Sequence, residues 1–210
     1  ESLKYYAEIK DNFDENIKLL KSVSRIYQFS LRTNERIKIL EKIIDLNPSS
    51  IDDWCSYIYI NNFKKNWKQI DYYENSKKFS QNIKIVDSKK IKIDNSIIKR
   101  KIKIAFFSSD INQAHSVTYF LKPVLKNINK NKFEIYVISN SKRDEYKDQY
   151  KKYLNDWFNI RNLNDLEAIN FIREKKIDII FDLMGFTSEN RINLFKNRIA
   201  PIQISWLGYC

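Results

Sequence analysis

Glycine, histidine and cysteine are scarce: the chain of 210 residues has two glycines, one histidine and two cysteines. With so few glycines it has no G-x-G-x-x-G loop after a strand and no G-x-x-x-x-G-K-S/T loop, so a dinucleotide-binding fold and a P-loop kinase are disfavoured. Cys55 and Cys210 have neither metal-ligand spacing nor the pattern of a disulfide framework. Because there is only one histidine, a zinc site built from histidine and cysteine is essentially excluded.

Long apolar runs are also absent. No stretch approaches the roughly 20 apolar residues of a membrane span, and the N-terminus lacks the apolar segment of a signal peptide. We therefore expect no membrane partner and, with so few cysteines, a cytoplasmic location. The chain does not start with methionine and stops at Cys210, shortly after a turn glycine, so we expect it to be a fragment of a longer protein at both ends.

What the chain does have is positive charge, with a formal net charge of +12 at pH 7. Such a charge invites a nucleic-acid-binding interpretation, but Lys, Asn and Ile are spread over every segment instead of forming one basic face. Nucleic acid is therefore disfavoured as a partner, while the charge can still attract acidic partners or a nucleotide sugar. Hydrophobic residues make up 43% of the chain, which is enough for a folded core.

Residues 1–79 have the periodicity of helices, with apolar residues three and four positions apart. Two such stripes lie within residues 14–47, a length close to the ~34 residues of one tetratricopeptide unit. A single unit cannot bury its own apolar face, so we expect it to stack on neighbouring repeats or on the next domain. Residues 80–100 alternate isoleucine with lysine and aspartate and are predicted to be a linker. The two apolar stripes are Ile17, Leu20, Val23 and Tyr27, and Ile37, Leu40, Ile43, Ile44 and Leu46.

The pattern changes at Lys101, where short apolar runs begin to alternate with helical stretches. Alternation of this kind predicts a parallel sheet covered by helices on both faces, a Rossmann-like α/β domain over residues 101–210. The predicted strands are residues 102–107, 133–139, 178–183 and 202–206. The predicted helices lie near residues 116–128, 143–154, 164–175 and 189–196.

The scarce residues fall just past the predicted strands. His115, Gly185 and Gly208 each follow an apolar run that is typical of a buried strand. In an open parallel sheet, ligands bind in the crevice beyond the carboxyl ends of the strands. Glycine at such a position lets the backbone turn sharply or approach a ligand closely. The sequence therefore predicts a site at this edge as well as a fold.

The turn after the first predicted strand carries polar side chains between a strand and a helix. A histidine there can take a proton from an incoming hydroxyl group near neutral pH, and Asp110 can orient its ring. The alternative is that His115 is only a neighbour of the helix N-cap, with Ser116 as the cap. At a later turn, Asp182 needs a partner because it lies in a buried strand, and Thr187 and Ser188 can cap the following helix.

Three segments resemble one family of enzymes, in the order in which that family has them. Residues 200–209, APIQISWLGY, closely resemble the APIQ..WLGY segment of the O-linked N-acetylglucosamine transferase and SPINDLY-type glycosyltransferases. Residues 108–110, followed by residues 115–121, resemble the first catalytic turn of that family. Residues 182–191, DLMGFTSENR, look like its D-L-x-G-x-T…N-R stretch. The resemblance spans residues 100–210 well and residues 14–99 loosely.

The resemblance implies a metal-independent, inverting glycosyltransferase of the GT-B type, in which two Rossmann-like lobes enclose the active site. Such enzymes transfer a sugar from a nucleotide donor to a serine or threonine hydroxyl of a protein. The implied donor is UDP-N-acetylglucosamine (UDP-GlcNAc), and no further cofactor is implied. The implied partners are an acceptor protein or peptide, the nucleotide sugar, and the C-terminal lobe of the same enzyme, which is missing from this chain and would hold most of the donor.

The resemblance also assigns a set of site residues. His115 and Asp110 are the implied catalytic residues, and no residue is an implied metal ligand. The implied substrate-binding residues are Ser109, Gly185, Thr187, Gly208 and Tyr209.

The chain departs from the family pattern between Asp110 and His115, where the interval is one residue longer than usual, and at Phe186, where relatives have His or Tyr. Three alternatives stay open. They are a SPINDLY-like enzyme that transfers fucose, a non-catalytic helical-repeat module that binds a partner, and a nucleic-acid binder.

Overall fold

The computed structural model describes residues 4, 15–87, 91, 99–111 and 115–209. Contacts between Cα atoms divide the chain into two compact units, residues 1–84 and residues 85–210. Predictions that concern residues 1–3, 5–14, 88–90, 92–98, 112–114 and 210 lie outside the described residues. This applies to about half of the predicted linker and to residues 112–114 of the interval between Asp110 and His115.

The first unit contains four helices in its described part. Asn16 caps the first of them, since its side-chain oxygen accepts a hydrogen bond from the backbone N–H of Leu19 at 3.1 Å. Both apolar stripes contribute to the core, since Leu20 of the first and Ile43 of the second are buried in one cluster with Ile60 of the following helix. The helices are α1 (Ile17–Phe29), α2 (Thr33–Leu46), α3 (Ile51–Asn61) and α4 (Gln69–Asn82).

The beginning of the predicted linker is helical, because α4 continues to Asn82. The second unit begins at Ile85, within the predicted linker, and its first residues are held by contacts inside that unit. The buried amide of Asn197 accepts hydrogen bonds from the backbone N–H groups of Val86 at 2.7 Å and Asp87 at 3.0 Å. Arg173 also pairs with the carboxylate of Asp87.

The second unit is built on a sheet of five parallel strands in the order β3-β2-β1-β4-β5. The predicted fold class, a Rossmann-like parallel sheet after a helical segment, is therefore confirmed. The order reverses between β1 and β4, which is where open α/β sheets bind ligands. The strands are β1 (Ile102–Ser108), β2 (Phe133–Ser139), β3 (Asp156–Asn159), β4 (Ile179–Asp182) and β5 (Ile202–Ser205).

One predicted helix of this unit is largely absent. The stretch predicted as a helix over residues 143–154 contains only one α-helical turn and one 3-10 turn, and the strand that follows, β3, was missed. The elements are α5 (Ser116–Asn127), α6 (Lys147–Tyr150), the 3-10 turn Lys151–Tyr153, α7 (Asp165–Glu174) and α8 (Ile192–Lys196).

Side chains of the central strands alternate between two apolar clusters, as expected for a sheet buried on both faces. Phe107 and Ile180 pack with Ile169 of α7 in one cluster. Phe106 packs with Leu121 of α5 in the other. Burial of a side chain of this size contributes about 1.5–3 kcal/mol to the free energy of unfolding. The two clusters therefore hold the strands, and with them the loops at their carboxyl ends, in place. No helix within the described ranges is long and apolar enough to cross a membrane.

An ion pair fixes the amino edge of the sheet. Arg100 donates two hydrogen bonds to the carboxylate of Asp178, at 2.7 and 2.8 Å, and the backbone N–H of Lys103 donates a third at 2.8 Å. Burial raises the pKa of Asp178, but these hydrogen bonds outweigh it and hold the pKa below its ordinary value. The pair joins the chain before β1 to the residue before β4.

Candidate active site at the carboxyl edge of the sheet

The three scarce residues lie at one edge of the sheet. His115 follows β1, Gly185 follows β4 and Gly208 follows β5, and these three strands are adjacent and parallel. Because the carboxyl ends of parallel strands lie at the same edge, the loops that carry these residues are neighbours. The catalytic and binding roles of these residues stay predictions.

A buried carboxylate shapes the turn after β4. Asp182 accepts hydrogen bonds from the backbone N–H groups of Met184 at 2.9 Å and Gly185 at 3.2 Å. Burial raises the pKa of Asp182, and the two backbone hydrogen bonds only partly offset that effect. The partner that a buried aspartate requires is therefore its own turn, which it folds tightly against the end of the strand.

Gly185 and Gly208 allow the turns after β4 and β5 to touch. Gly185 has a φ of +55°, and a Cβ atom there would lie 1.9 Å from the carbonyl oxygen of Tyr209. A Cβ atom at Gly208 would lie 2.6 Å from the carbonyl carbon of Met184. The carbonyl of Tyr209 also accepts a hydrogen bond from the backbone N–H of Phe186 at 2.7 Å. The two glycines are thus required by the packing of one loop on the other.

Thr187 belongs to the same cluster, but it does not cap a helix. Its hydroxyl donates a hydrogen bond to the carbonyl of Met184 at 2.8 Å. The expectation that Thr187 or Ser188 caps the following helix is wrong, because the loop continues and α8 begins only at Ile192, with Arg191 at the N-cap position. Arg191 turns towards α7, where it binds the carbonyl of Ile160 and the carboxylate of Asp165.

The polar turn after β1 brings His115 near Asp110. His115 itself is the N-cap of α5, since its Nδ1 atom accepts a hydrogen bond from the backbone N–H of Val117 at 3.3 Å. Ser116, the alternative cap, is instead the first residue of the helix. The Nε2 atom of His115 lies 3.7 Å from an oxygen of the Asp110 carboxylate. Both of the side chains implied for catalysis therefore meet at the carboxyl edge.

The capping bond decides which ring nitrogen of His115 carries the proton. Because Nδ1 accepts a hydrogen bond, the proton of the neutral ring is on Nε2, the nitrogen that faces Asp110. The separation of 3.7 Å between Nε2 and the carboxylate oxygen is too long for a direct hydrogen bond. It is short enough for a third atom to form a hydrogen bond with each of them. An oxygen atom about 2.8 Å from each would accept a hydrogen bond from Nε2–H and donate one to the carboxylate.

The environment of Asp110 favours its protonated form more than water does. Burial raises its pKa, the nearby His115 lowers it, and the negative charge of Glu189 raises it again, so that the pKa lies above its ordinary value. A carboxylate with a raised pKa is a stronger base than an ordinary one.

The only methionine of the chain links the turn after β1 to the turn after β4. The hydroxyl of Ser108 and the backbone N–H of Ser109 donate to the Sδ atom of Met184, at 3.4 and 3.2 Å. The hydroxyl of Ser109 donates to the backbone carbonyl of Glu189 at 2.9 Å. The two groups of predicted site residues, one on each turn, are therefore held against each other.

Eight polar residues at this edge were not predicted from the sequence, and four of them are linked by hydrogen bonds and ion pairs. They surround a cavity of about 430 Å³ that Ser109 and Asp110 also line. The polar run after β2 was a usable signal for two of the four linked residues, whereas Arg161 follows a strand that was not predicted. The four linked residues are Asn140, Lys142, Arg161 and Glu189. Within the part of the chain that the structure describes, no three His, Cys, Asp or Glu residues are grouped so that they can hold a metal ion.

Comparison with known proteins places these features in a family. The model of the family "Glycosyl transferase family 41" matches residues 37–210. The SPINDLY protein of Arabidopsis thaliana, described as a probable UDP-N-acetylglucosamine–peptide N-acetylglucosaminyltransferase, is 31% identical over 116 residues, which cover 53% of this chain and 13% of that protein. The SPINDLY protein of Solanum lycopersicum is 30% identical over 122 residues, or 55% and 13% of the two chains. The chain therefore spans about an eighth of the length of these relatives.

A solved structure has the same fold. A mutant O-GlcNAc transferase of Thermobaculum terrenum superimposes with a TM-score of 0.79, covering 93% of this chain and 38% of that one, with 21% sequence identity. At this identity the match establishes the fold.

Proposed function

Since the chain belongs to glycosyl transferase family 41, we propose that it is part of an enzyme that transfers a sugar from a nucleotide donor to a serine or threonine hydroxyl of a protein. One observation carries this proposal. His115 and Asp110 meet at the carboxyl edge of a Rossmann-like sheet, with Nε2 and a carboxylate oxygen 3.7 Å apart, close enough for one oxygen atom to contact both. The names of the plant relatives, which describe transfer of N-acetylglucosamine to peptides, support it.

The proposed donor is UDP-GlcNAc, used without a further cofactor, and the proposed course is an inverting displacement that needs no metal ion. Support for the donor comes from the names of the plant relatives. A fucose donor is the second candidate, because residues 115–120 (HSVTYF) also resemble the fucose-transferring branch of the family. Both donors use the same proposed chemistry on the acceptor.

The proposed chemistry gives each of the two side chains its own role. The acceptor oxygen contacts both side chains and attacks the anomeric carbon of the sugar, while the bond from that carbon to the diphosphate oxygen breaks. The hydroxyl proton passes to the Asp110 carboxylate, and Nε2–H of His115 donates to the same oxygen and orients it. General-base assistance of this kind contributes about 10²–10⁴-fold in rate. The converse assignment, with His115 taking the proton, requires the capping bond to Val117 to open first.

The remaining groups form the wall of the cleft. The tight turns at Gly185 and Gly208 present backbone beside the pair, and Ser109, Thr187 and Tyr209 are the proposed substrate contacts. Residues 1–79 are the proposed tetratricopeptide-like end, residues 80–100 the connection, and residues 101–210 the N-terminal lobe. A second lobe, which supplies the groups that stabilise the departing diphosphate, completes the site in a cytoplasmic enzyme.

The function is tested with the full-length protein. Purified enzyme is incubated with UDP-GlcNAc or GDP-fucose that carries a labelled sugar and with protein acceptors, in the presence of a chelator, and the anomeric configuration of the product is read by NMR. We expect transfer from one of the two donors with inversion. The chain of residues 1–210 alone should give no measurable turnover, because half of a two-lobe site cannot orient both reactants. Robust turnover by this chain alone would refute the two-lobe proposal.

The competing proposal is a non-catalytic binding module. It predicts that the full-length protein transfers no sugar and hydrolyses no donor, but still retains a protein partner with an affinity that does not depend on nucleotide sugar. A nucleic-acid binder would instead show affinity for DNA or RNA that falls steeply with salt, and a filter-binding series in salt measures that dependence.

A further inference from the structure

Glu189 lies in the loop between β4 and α8 and has a left-handed backbone, with a φ of +63°. A residue other than glycine pays of order 1–3 kcal/mol for such a conformation, so the surrounding contacts must hold it. Its backbone carbonyl accepts two hydrogen bonds, from the hydroxyl of Ser109 at 2.9 Å and from the side-chain amide of Asn140 at 3.1 Å. The strained residue thus binds the loops that follow β1 and β2.

The carboxylate of Glu189 extends this connection to a further loop. It forms ion pairs with Lys142, at 3.1 Å, and with Arg161, which follows β3. Arg161 also donates to the carbonyl of Asn140 at 3.3 Å. One residue therefore joins the loops after four of the five strands.

Glu189 also shares a cavity with Asp110, one member of the candidate catalytic pair. Ser109, which it holds, immediately precedes Asp110, and all three residues line the cavity of about 430 Å³. The other charged or titratable side chains around this cavity are those of Lys142, Arg143, Glu145, Tyr146 and Arg161. Of the charges near Asp110, the negative charge of Glu189 raises its pKa and the neighbouring His115 lowers it.

We propose that Glu189 is a positioning residue for the Asp110–His115 pair: its carbonyl fixes the turn after β1, and its carboxylate, held by Lys142 and Arg161, sets the local charge beside Asp110. The catalytic meaning of this inference rests on the proposed function. Its physical content, the position and charge environment of Asp110, is measurable without turnover. Failure of the proposed role of Glu189 is therefore distinguishable from failure of the proposed function.

Three substitutions separate the effect of the Glu189 charge from the effect of the Glu189 backbone carbonyl. Glu189→Gln keeps the length of the side chain and removes its charge. Glu189→Gly removes the side chain but keeps the carbonyl, and glycine favours the left-handed backbone. Lys142→Met removes a mostly exposed cation from the same cluster, with 69% of the Lys142 side chain exposed. Glu174→Gln is the matched control, because it makes the same charge change at the end of α7, at the opposite edge of the sheet.

The direct readout is an NMR titration of the Asp110 carboxyl carbon in the 210-residue chain, assigned with Asp110→Asn. Loss of the Glu189 charge should make Asp110 titrate at lower pH, because a nearby negative charge disappears and two cations lose their partner. Lys142→Met should move the titration to higher pH. A merely structural role would not give opposite signs for the two charges. The ring resonances of His115, the single histidine, should move in both Glu189 variants and stay unchanged in Glu174→Gln.

The full-length enzyme gives the functional readout. Turnover of Glu189→Gln should fall on the order of tenfold or more, with the acidic limb of the pH profile moved to lower pH and the affinity for the donor unchanged. An Asp110 titration in Glu189→Gln or Glu189→Gly that coincides with wild type, or a Lys142→Met shift to lower pH, overturns the inference. If no sugar transfer is found with any variant, the proposed function fails, and the titration still decides the role of Glu189.

Discussion

The backbone of Gly185 lies so close to the carbonyl oxygen of Tyr209 that an added Cβ atom would be 1.9 Å away. The two residues also form an isolated parallel bridge, which lies beyond Asp182 and Ser205, the last paired residues of β4 and β5. This contact extends the sheet past its last regular hydrogen bonds and gives the candidate cleft a rigid wall. It explains why the two glycines of the chain occur where they do.

Alanine at Gly185 or Gly208 should therefore destabilise the protein. Each substitution forces a Cβ into backbone atoms, and at Gly185 it adds a left-handed φ, so we expect losses of about 3 kcal/mol in the free energy of unfolding. Urea denaturation measures the loss. Lys176→Gly is the matched control, because Lys176 is exposed with a φ of +53°, and glycine there should leave stability unchanged or raise it by up to about 1 kcal/mol. Equal stability of Gly185→Ala and wild type would contradict the observed contact.

The turn after β4 depends on the Asp182 carboxylate. In Asp182→Asn, only one oxygen remains to accept the two backbone N–H groups of Met184 and Gly185, so a buried donor loses its partner. We expect a loss of about 1–3 kcal/mol. Asp156→Asn is the comparison, since the exposed Asp156 side chain accepts one hydrogen bond, from its neighbour Trp157, and its loss should be clearly smaller. The two variants are compared by chemical denaturation at pH 7, and a larger loss for Asp156→Asn would argue against the role of Asp182.

The ion pair between Arg100 and Asp178 predicts a pH dependence of stability. Because the pKa of Asp178 is lowered in the folded state, its contribution is fully present above the unfolded pKa near 3.9 and is lost as pH falls through the folded value. Asp178→Asn should cost about 2 kcal/mol at pH 7 and should lose less stability than wild type between pH 5 and acidic pH. Arg100→Lys should fall between them, because lysine cannot form the two-pronged contact. Parallel pH curves for wild type and Asp178→Asn would contradict this account.

The sequence predicted the fold where a pattern repeats over several residues. The apolar runs of β1, β2, β4 and β5 are each bounded by polar turns, and their alternation with helices identified a parallel sheet. β3 was missed because it has only four residues, begins with Asp156 and ends with Asn159, so it carries no apolar run. Thr187 was expected to cap a helix because threonine is a common N-cap residue. No local sequence pattern shows that the loop continues to Arg191 before α8 begins.

Only the site residues that follow a predicted strand could be placed from the sequence. His115, Gly185 and Gly208 were expected at one edge because each follows a strand, and the structure brings them there. The contacts of Glu189 with Lys142 and Arg161 depend on which loops meet in space, and spacing along the chain carries no information about that. The capping role of His115 depends on which ring nitrogen faces the helix, which the sequence also leaves open.

The cap and the proposed chemistry of His115 can be separated by two substitutions. Asparagine is among the best N-cap residues, so His115→Asn should keep α5 stable, whereas His115→Ala should cost about 1 kcal/mol in the free energy of unfolding. Thermal or urea denaturation of the 210-residue chain measures both. A His115→Asn variant as unstable as His115→Ala would show that the histidine ring stabilises more than the cap.

The chemical role of the Asp110–His115 pair is tested most directly by the turnover number of full-length His115→Asn. The variant keeps the cap and removes the imidazole, so folding and donor binding should match wild type. The rate of sugar transfer should fall on the order of a hundredfold or more, because the acceptor oxygen loses the Nε2–H group that orients it. A transfer rate equal to that of wild type would remove His115 from the mechanism and contradict the proposed site.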